Sequence, residues 1–100
     1  MAGPEKKFEG KVRRFLDNLG AWHLKTYSDG VQRSGVPDLL CCVNGYFVAV
    51  EVKSETGRPT PLQIWNIEKI REAGGIAMVL YPDGFDEFKR LMLKISEVEE

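Results

Sequence analysis

An α/β sandwich, with a mixed central sheet and helices over both of its faces, is the fold this sequence predicts. Three observations carry the prediction. Apolar residues recur with a helical period in three separate segments. The dipeptide Asn44-Gly45 stands between two apolar runs, a strong hairpin signal. Both faces of that hairpin are apolar, with Leu40, Cys42, Phe47 and Ala49 on one and Leu39, Cys41, Val48 and Val50 on the other. Such a sheet needs cover on two sides.

The elements follow in chain order. Over residues 4–19, Phe8, Val12, Phe15, Leu16 and Leu19 form one apolar stripe, with Pro4 suited to a helix start and Gly20 to a stop. Ala21 to Tyr27 alternates weakly and reads as a strand, followed by a loop from Ser28 to Gly35. Asp38 to Val43 and Tyr46 to Lys53 are the two hairpin strands, and Ser54 to Pro61 is a loop. A helix is expected from about Pro61 to Ala73, with Thr60 as N-cap and Gly74-Gly75 as stop. Ile76 to Tyr81 reads as a buried strand, Pro82-Asp83-Gly84 as a turn, and Phe85, Phe88, Leu91, Met92 and Ile95 mark a last helix. The order is α-β-β-β-α-β-α.

One hundred residues, 43% of them apolar and 29% charged, suit a single folded domain over 1–100. The net charge of −1 excludes a uniformly basic coat, so any site for a polyanion is local. Residues 1–50 carry 7 basic and 5 acidic side chains, and residues 51–100 carry 7 and 10, with an acidic tail over 97–100. The longest apolar run, Ile76 to Tyr81, is six residues, far below the roughly 20 of a membrane span. No charged-then-apolar leader opens the sequence, so an intracellular, non-secreted protein is expected. Cys41 and Cys42 are adjacent on a strand and cannot form an ordinary bridge. One histidine, His23, offers no zinc site of ordinary spacing and is expected to pack as a strand residue.

The chemistry gathers at the open end of the hairpin. A two-residue turn at 44–45 pairs Val43 with Tyr46 and Cys42 with Phe47 and, continued, Asp38 with Glu51. Lys53 points to the same face as Glu51. Opposed carboxylates destabilise a sheet unless one protonates or moves. As strand-end residues in water they carry that cost. A hard divalent cation removes it, with the Val52 carbonyl as a further oxygen ligand. Lys53 beside such a cation can orient or deprotonate a water and neutralise a phosphorane-like transition state. That is a site for metal-assisted phosphodiester hydrolysis.

Pro37-Asp38, a short spacer and Glu51-Val52-Lys53 resemble the PD-(D/E)xK signature of the restriction-endonuclease-like superfamily, whose core is similar in element order. Gly35-Val36-Pro37-Asp38-Leu39-Leu40, then Glu51-Val52-Lys53, then Gln63 with Trp65 two positions on, resemble more narrowly the VRR-NUC group of viral and DNA-repair nucleases. The resemblance covers about residues 5–81. The last helix, about 85–96, and the acidic tail lie outside it. It implies Asp38, Glu51 and the Val52 carbonyl as ligands of Mg²⁺ or Mn²⁺, Lys53 serving the attacking water, Glu9 as an extra ligand or water holder, and Gln63 ordering Lys53 or the phosphate.

The residues themselves leave alternatives open. Glu9 lies about 100° from Phe8 on a helical wheel, at the border of the apolar stripe, where a solvated glutamate is equally at home. Gln63 falls in an apolar arc, but Thr60-x-x-Gln63 also fits a capping box. Arg33 and Arg58 flank the hairpin end and suit phosphate contacts, whereas Lys6, Lys7, Lys11, Arg13 and Arg14 are either a phosphate track or the solvated face of a helix. Trp65 is expected in the core rather than as a platform for bases.

The activity implied is a magnesium-dependent DNA endonuclease. The chain has no base-reading motif, which favours selection by DNA shape. Small junction-resolving enzymes of the same superfamily suggest branched DNA, a four-way (Holliday) junction first, in DNA repair. A homodimer in the cytoplasm of a bacterial host is expected, because two sites match the two equivalent strands of a junction. A non-catalytic nucleic-acid-binding module of the same fold and an end-dependent exonuclease are the alternatives. The intact set Asp38, Glu51 and Lys53 favours catalysis.

Overall fold

A computed structural model describes residues 3–27 and 34–97. Its elements are α1 (Pro4–Leu19), β1 (Trp22–Lys25), β2 (Leu39–Val43), β3 (Tyr46–Val52), α2 (Pro61–Glu72), β4 (Ile76–Leu80) and α3 (Phe85–Ser96), with a short 3₁₀ turn at Pro82–Gly84 before α3. The strands form one mixed sheet in the order β1-β2-β3-β4, antiparallel except for the parallel β3–β4 pair. The predicted element order therefore holds. The predicted first strand is trimmed to four residues. Thr26, just beyond it, still donates its N–H to the Asp38 carbonyl at 2.8 Å. The described helices include none long and apolar enough to cross a membrane.

The hairpin turn decides the register. Asn44 (φ 50°) and Gly45 (φ 84°) both take positive φ, the conformation a two-residue turn needs to match the twist of its strands. Val43 then faces Tyr46, Cys42 faces Phe47 and Leu39 faces Val50, as the sequence predicts.

The main core lies between one sheet face and two helices. Phe8, Val12 and Leu16 of α1 and Phe88, Met92 and Ile95 of α3 close over Leu39, Cys41, Val43, Val48, Val50 and Val52. Phe8 and Phe85 meet edge to face, with centroids 5.4 Å apart, the arrangement aromatic quadrupoles favour. The opposite face has a smaller core of Ala49, Ala77 and Ile67 beneath α2, which packs on β3 and β4.

Here the structure corrects the sequence reading. The hairpin face of Leu40, Cys42, Phe47 and Ala49 is not wholly covered: Phe47 is 46% exposed and Cys42 is exposed, as are Trp22 (60%) and Leu24 beside them on β1. The reason is geometric. A helix is about 10–12 Å across and strands lie about 4.8 Å apart, so one helix covers two strands of four. Trp65 is likewise not a core residue; it is 46% exposed, with the Lys69 ammonium 5.5 Å from its ring centroid. The strip of α2 that covers two strands is narrow and is filled by Asn66 and Ile67.

Gly35 joins the loop before β2 to α2. It takes φ 78°, and a β-carbon there would lie 2.6 Å from Leu62 Cγ and 3.0 Å from the Leu62 carbonyl carbon. Gly20 also has positive φ (81°), but no atom approaches its missing β-carbon. Gly20→Ala should thus cost the left-handed backbone penalty, about 1–2 kcal/mol. Gly35→Ala should cost more, because Leu62 backbone must also move. Denaturant midpoints of the two variants check this, and equal losses would show that the close approach carries no energy.

Candidate active site

The parallel strands β3 and β4 end side by side, and the candidate residues converge there. Alternation along β3 sends Val48, Val50 and Val52 into the main core and Glu51 to the opposite face with Ala49. Glu51 is thereby buried to 1% exposure. Lys53 continues the strand, donating its N–H to the Leu80 carbonyl at 3.0 Å. Its Nζ lies 3.2 Å from Glu51 Oε2. Gly57 folds back over this side chain so closely that a β-carbon there would stand 3.2 Å from Lys53 Cδ. The missing side chain at Gly57 thus leaves room for Lys53 where it lies, a role for Gly57 that the motif does not announce.

The predicted partner of Glu51, one position beyond the last rung of the β2–β3 ladder at Leu39 and Val50, is Asp38. Its carbonyl accepts from Thr26, and its Oδ2 accepts the Val52 N–H at 3.0 Å. The side chain replaces the next rung of the ladder. The N–H and C=O of one strand residue face the same neighbour, so the Val52 carbonyl is also on the Asp38 side. Asp38 remains close enough for its charge to act on Glu51. Burial first, and then that charge, push the Glu51 carboxyl up to about 7, against the opposing pull of Lys53.

Glu9 is drawn into this group. It is buried rather than solvated, 8% exposed, and its Oε1 lies 2.7 Å from Lys25 Nζ. Lys25 also stands 3.5 Å from Asp38 Oδ1, so one ammonium joins α1 to the segment before β2. Burial works against its charge, but Glu9 and Asp38 outweigh that and hold Lys25 above the usual lysine range. The sequence reading missed Lys25. The signal was present in the register, since Lys25 pairs with Leu39, next to Asp38.

The other candidates sit further out. Gln63 makes the capping box: its carboxamide oxygen accepts the Thr60 N–H at 2.8 Å, and its own N–H donates to Thr60 Oγ1 at 3.2 Å. That oxygen is thus engaged away from Lys53. Arg58 is exposed and lines a cleft of about 520 Å³ with Glu55, Tyr81 and Asp83. Arg13 lies 3.9 Å from Glu9, while Lys6, Lys7, Lys11 and Arg14 are exposed. Arg33 and the tail residues 98–100 fall outside the described residues. His23 packs as expected, its Nε2 2.6 Å from Asp17 Oδ1.

Among the described residues no cluster of three or more His, Cys, Asp or Glu side chains is placed to hold a metal ion. Asp38 meets the Val52 N–H and its charge reaches Glu51, and one oxygen of the Glu51 carboxyl lacks a partner. Glu51 Oε1 is buried and makes no hydrogen bond among the described residues, which is costly for a carboxyl oxygen. A divalent cation suits this donor set, because hard cations take carboxylate and carbonyl oxygens. No protein-family model matches the chain, and no curated protein is significantly similar to it.

The raised Glu51 carboxyl has a thermodynamic consequence. Its proton is held more tightly in the folded than in the unfolded chain between 4.5 and about 7. Stability should therefore be greatest at the acid end of that window, fall as pH rises through it, and level off above. Glu51→Gln has no such proton to lose, so this decline should disappear and the variant should be the more stable protein above about pH 7. Melting temperatures measured in chelator across the window test this, and parallel curves for the two proteins would refute it.

Proposed function

We propose that the chain is a magnesium-dependent, structure-selective DNA endonuclease of the PD-(D/E)xK kind. The observation that carries this reading is the Glu51 carboxyl: buried beside Asp38, 3.2 Å from Lys53, with one oxygen lacking a partner. A purely structural carboxyl in such a place has little to recommend it, since an apolar residue would avoid the desolvation. Asp38, Glu51 and the Val52 carbonyl would hold the cation. When bound, Mg²⁺ or Mn²⁺ supplies Lewis acidity at the phosphate and lowers the pKa of a water.

The chain's own residues supply the rest. Glu51 fixes the Lys53 ammonium, and Gly57, without a β-carbon, leaves room for its stem. Lys53 then orients the attacking water and offsets charge that develops on the phosphoryl oxygens. Arg58 in the neighbouring cleft suits a flanking phosphate. Gln63 has its carboxamide oxygen committed to the helix cap, so its share in the chemistry is confined to its amide nitrogen. The absence of a base-reading motif in this sequence favours recognition of DNA shape, with a four-way junction as the first substrate to try.

Purified protein with labelled junction, flap, duplex and single-stranded DNA, with and without magnesium, tests the reading. Junction cleavage should require the cation. Asp38→Ala and Glu51→Ala should abolish cleavage while leaving DNA binding, and Lys53→Ala should cost at least about 10²-fold, as for a positioned acid–base group. Full activity in excess chelator would sink the metal mechanism. Binding without cleavage by any preparation would favour a non-catalytic module, and attack confined to DNA ends an exonuclease.

We also propose a homodimer, which brings two sites to the two equivalent strands of a junction. The open face bearing Trp22, Leu24, Cys42 and Phe47 offers the apolar surface such a contact needs. Light scattering should give twice the mass of one chain, and Trp22→Glu should reduce it to one. A wild-type monomer that still cleaves junctions would refute the dimer.

A further inference from the structure

Lys25 is placed unlike any other cation of the site. It rises from β1, an edge strand, yet its ammonium reaches acids on two other parts of the chain: Glu9 of α1 at 2.7 Å and Asp38 ahead of β2 at 3.5 Å. Its side chain is largely covered. Lys53, by comparison, pairs with Glu51, and Arg13 touches Glu9 at the longer distance of 3.9 Å. Glu9 and Asp38 come from segments nearly 30 positions apart in the sequence. Without a cation between them their like charges would push α1 away from the β2 entry.

We infer that Lys25 is a tethered counter-ion: it holds Glu9 and Asp38 together while the site is free of metal, and it competes with the divalent cation for Asp38. This rests on the reading of Asp38 as a cation ligand. The charges around the site explain the competition. Glu9, Asp38 and Glu51 are matched by Arg13, Lys25 and Lys53, so the folded site is close to balanced before any divalent ion arrives. An incoming ion of charge two finds Asp38 already partnered, and it repels a lysine ammonium a few ångströms away. Of the two contacts, the one to Asp38 is the longer and yields first. The one to Glu9 is short and keeps Lys25 anchored on α1. Lys25 is thus a positioning residue that sets the affinity of the site for its cation.

Calorimetric titration of the full chain with Mn²⁺ and with Mg²⁺, without DNA, tests this. Lys25→Met should bind the cation at least about tenfold more tightly than wild type, a factor that corresponds to about 1.4 kcal/mol, and should melt lower in chelator. Lys25→Arg, which retains the charge, should stay near wild type in both respects. A residue that merely supports the fold would weaken cation binding when removed, so the gain is the discriminating result. Equal or weaker binding by Lys25→Met overturns the inference while leaving the metal reading intact. Absence of divalent binding in all three proteins overturns both. If Lys25→Met does not fold, nitrogen NMR of the wild type decides: a slowly exchanging Lys25 ammonium signal should be present in chelator and be lost or shifted on magnesium addition. A signal unchanged by saturating magnesium refutes the competition.

Discussion

A carboxyl group buried at the end of the central strand is the constraint around which this structure is organised. β3 has a neighbour on both edges, and its residues are covered on both faces near its C-terminal end. Strict alternation leaves Glu51 no route to water. Val50 and Val52 are locked into the main core, and a slip of one residue that freed Glu51 would expel both valines from it. The several apolar contacts made by the valines outweigh the desolvation of one carboxyl, which accordingly takes a raised pKa and an ion pair. The neighbouring groups answer to that burial: Lys53 approaches Oε2, Gly57 leaves room for Lys53, and Asp38 turns its carboxylate to the strand's next amide.

Much of this was legible in the sequence, for identifiable reasons. Asn44-Gly45 specifies a turn of two residues with positive φ, and that alone fixes which hairpin residues face each other. Helix ends were equally readable, because Thr60, Pro61 and Gln63 are residues whose side chains or ring meet the needs of a helix start. What local patterns do not contain is the extent of cover. An apolar hairpin face implies burial, yet Trp22 and Phe47 are exposed because α2 spans two strands. Nor does a register extended by one rung account for an aspartate that can serve as its own hydrogen-bond acceptor. At Asp38 the side chain competes with the backbone for the Val52 amide and wins, as short acidic side chains do at the ends of regular structure.

Lys25 shows the same limit from the other side. Read in its own segment, Trp22-His23-Leu24-Lys25, it is the polar position of a half-buried strand. Its importance arises between segments, where α1 brings Glu9 beneath the end of β1. Glu9 in turn sits at the edge of its helical stripe, and such an edge is exposed or buried according to what lies beside it. Here a lysine lies beside it, so the boundary glutamate is drawn inward rather than left in solvent. Each residue is ambiguous alone, and the pair resolves both.

The first helix carries this logic outward. Its period sends Phe8, Val12 and Leu16 into the core and Glu9 to the site at the core's margin, while Lys6, Lys7, Lys11 and Arg14 remain on the exposed side. A single helix therefore offers an acid to the interior and a basic rim to the solvent. A chain with a net charge of −1 presents positive potential only through such local asymmetry, because exposed charges act over about a Debye length rather than across the whole molecule. The acids differ in cover: Glu51 lies buried beneath Lys53, whereas Asp38 is about as open as Lys25. The placement of the charges, more than their sum, sets the local potential at this end of the sheet.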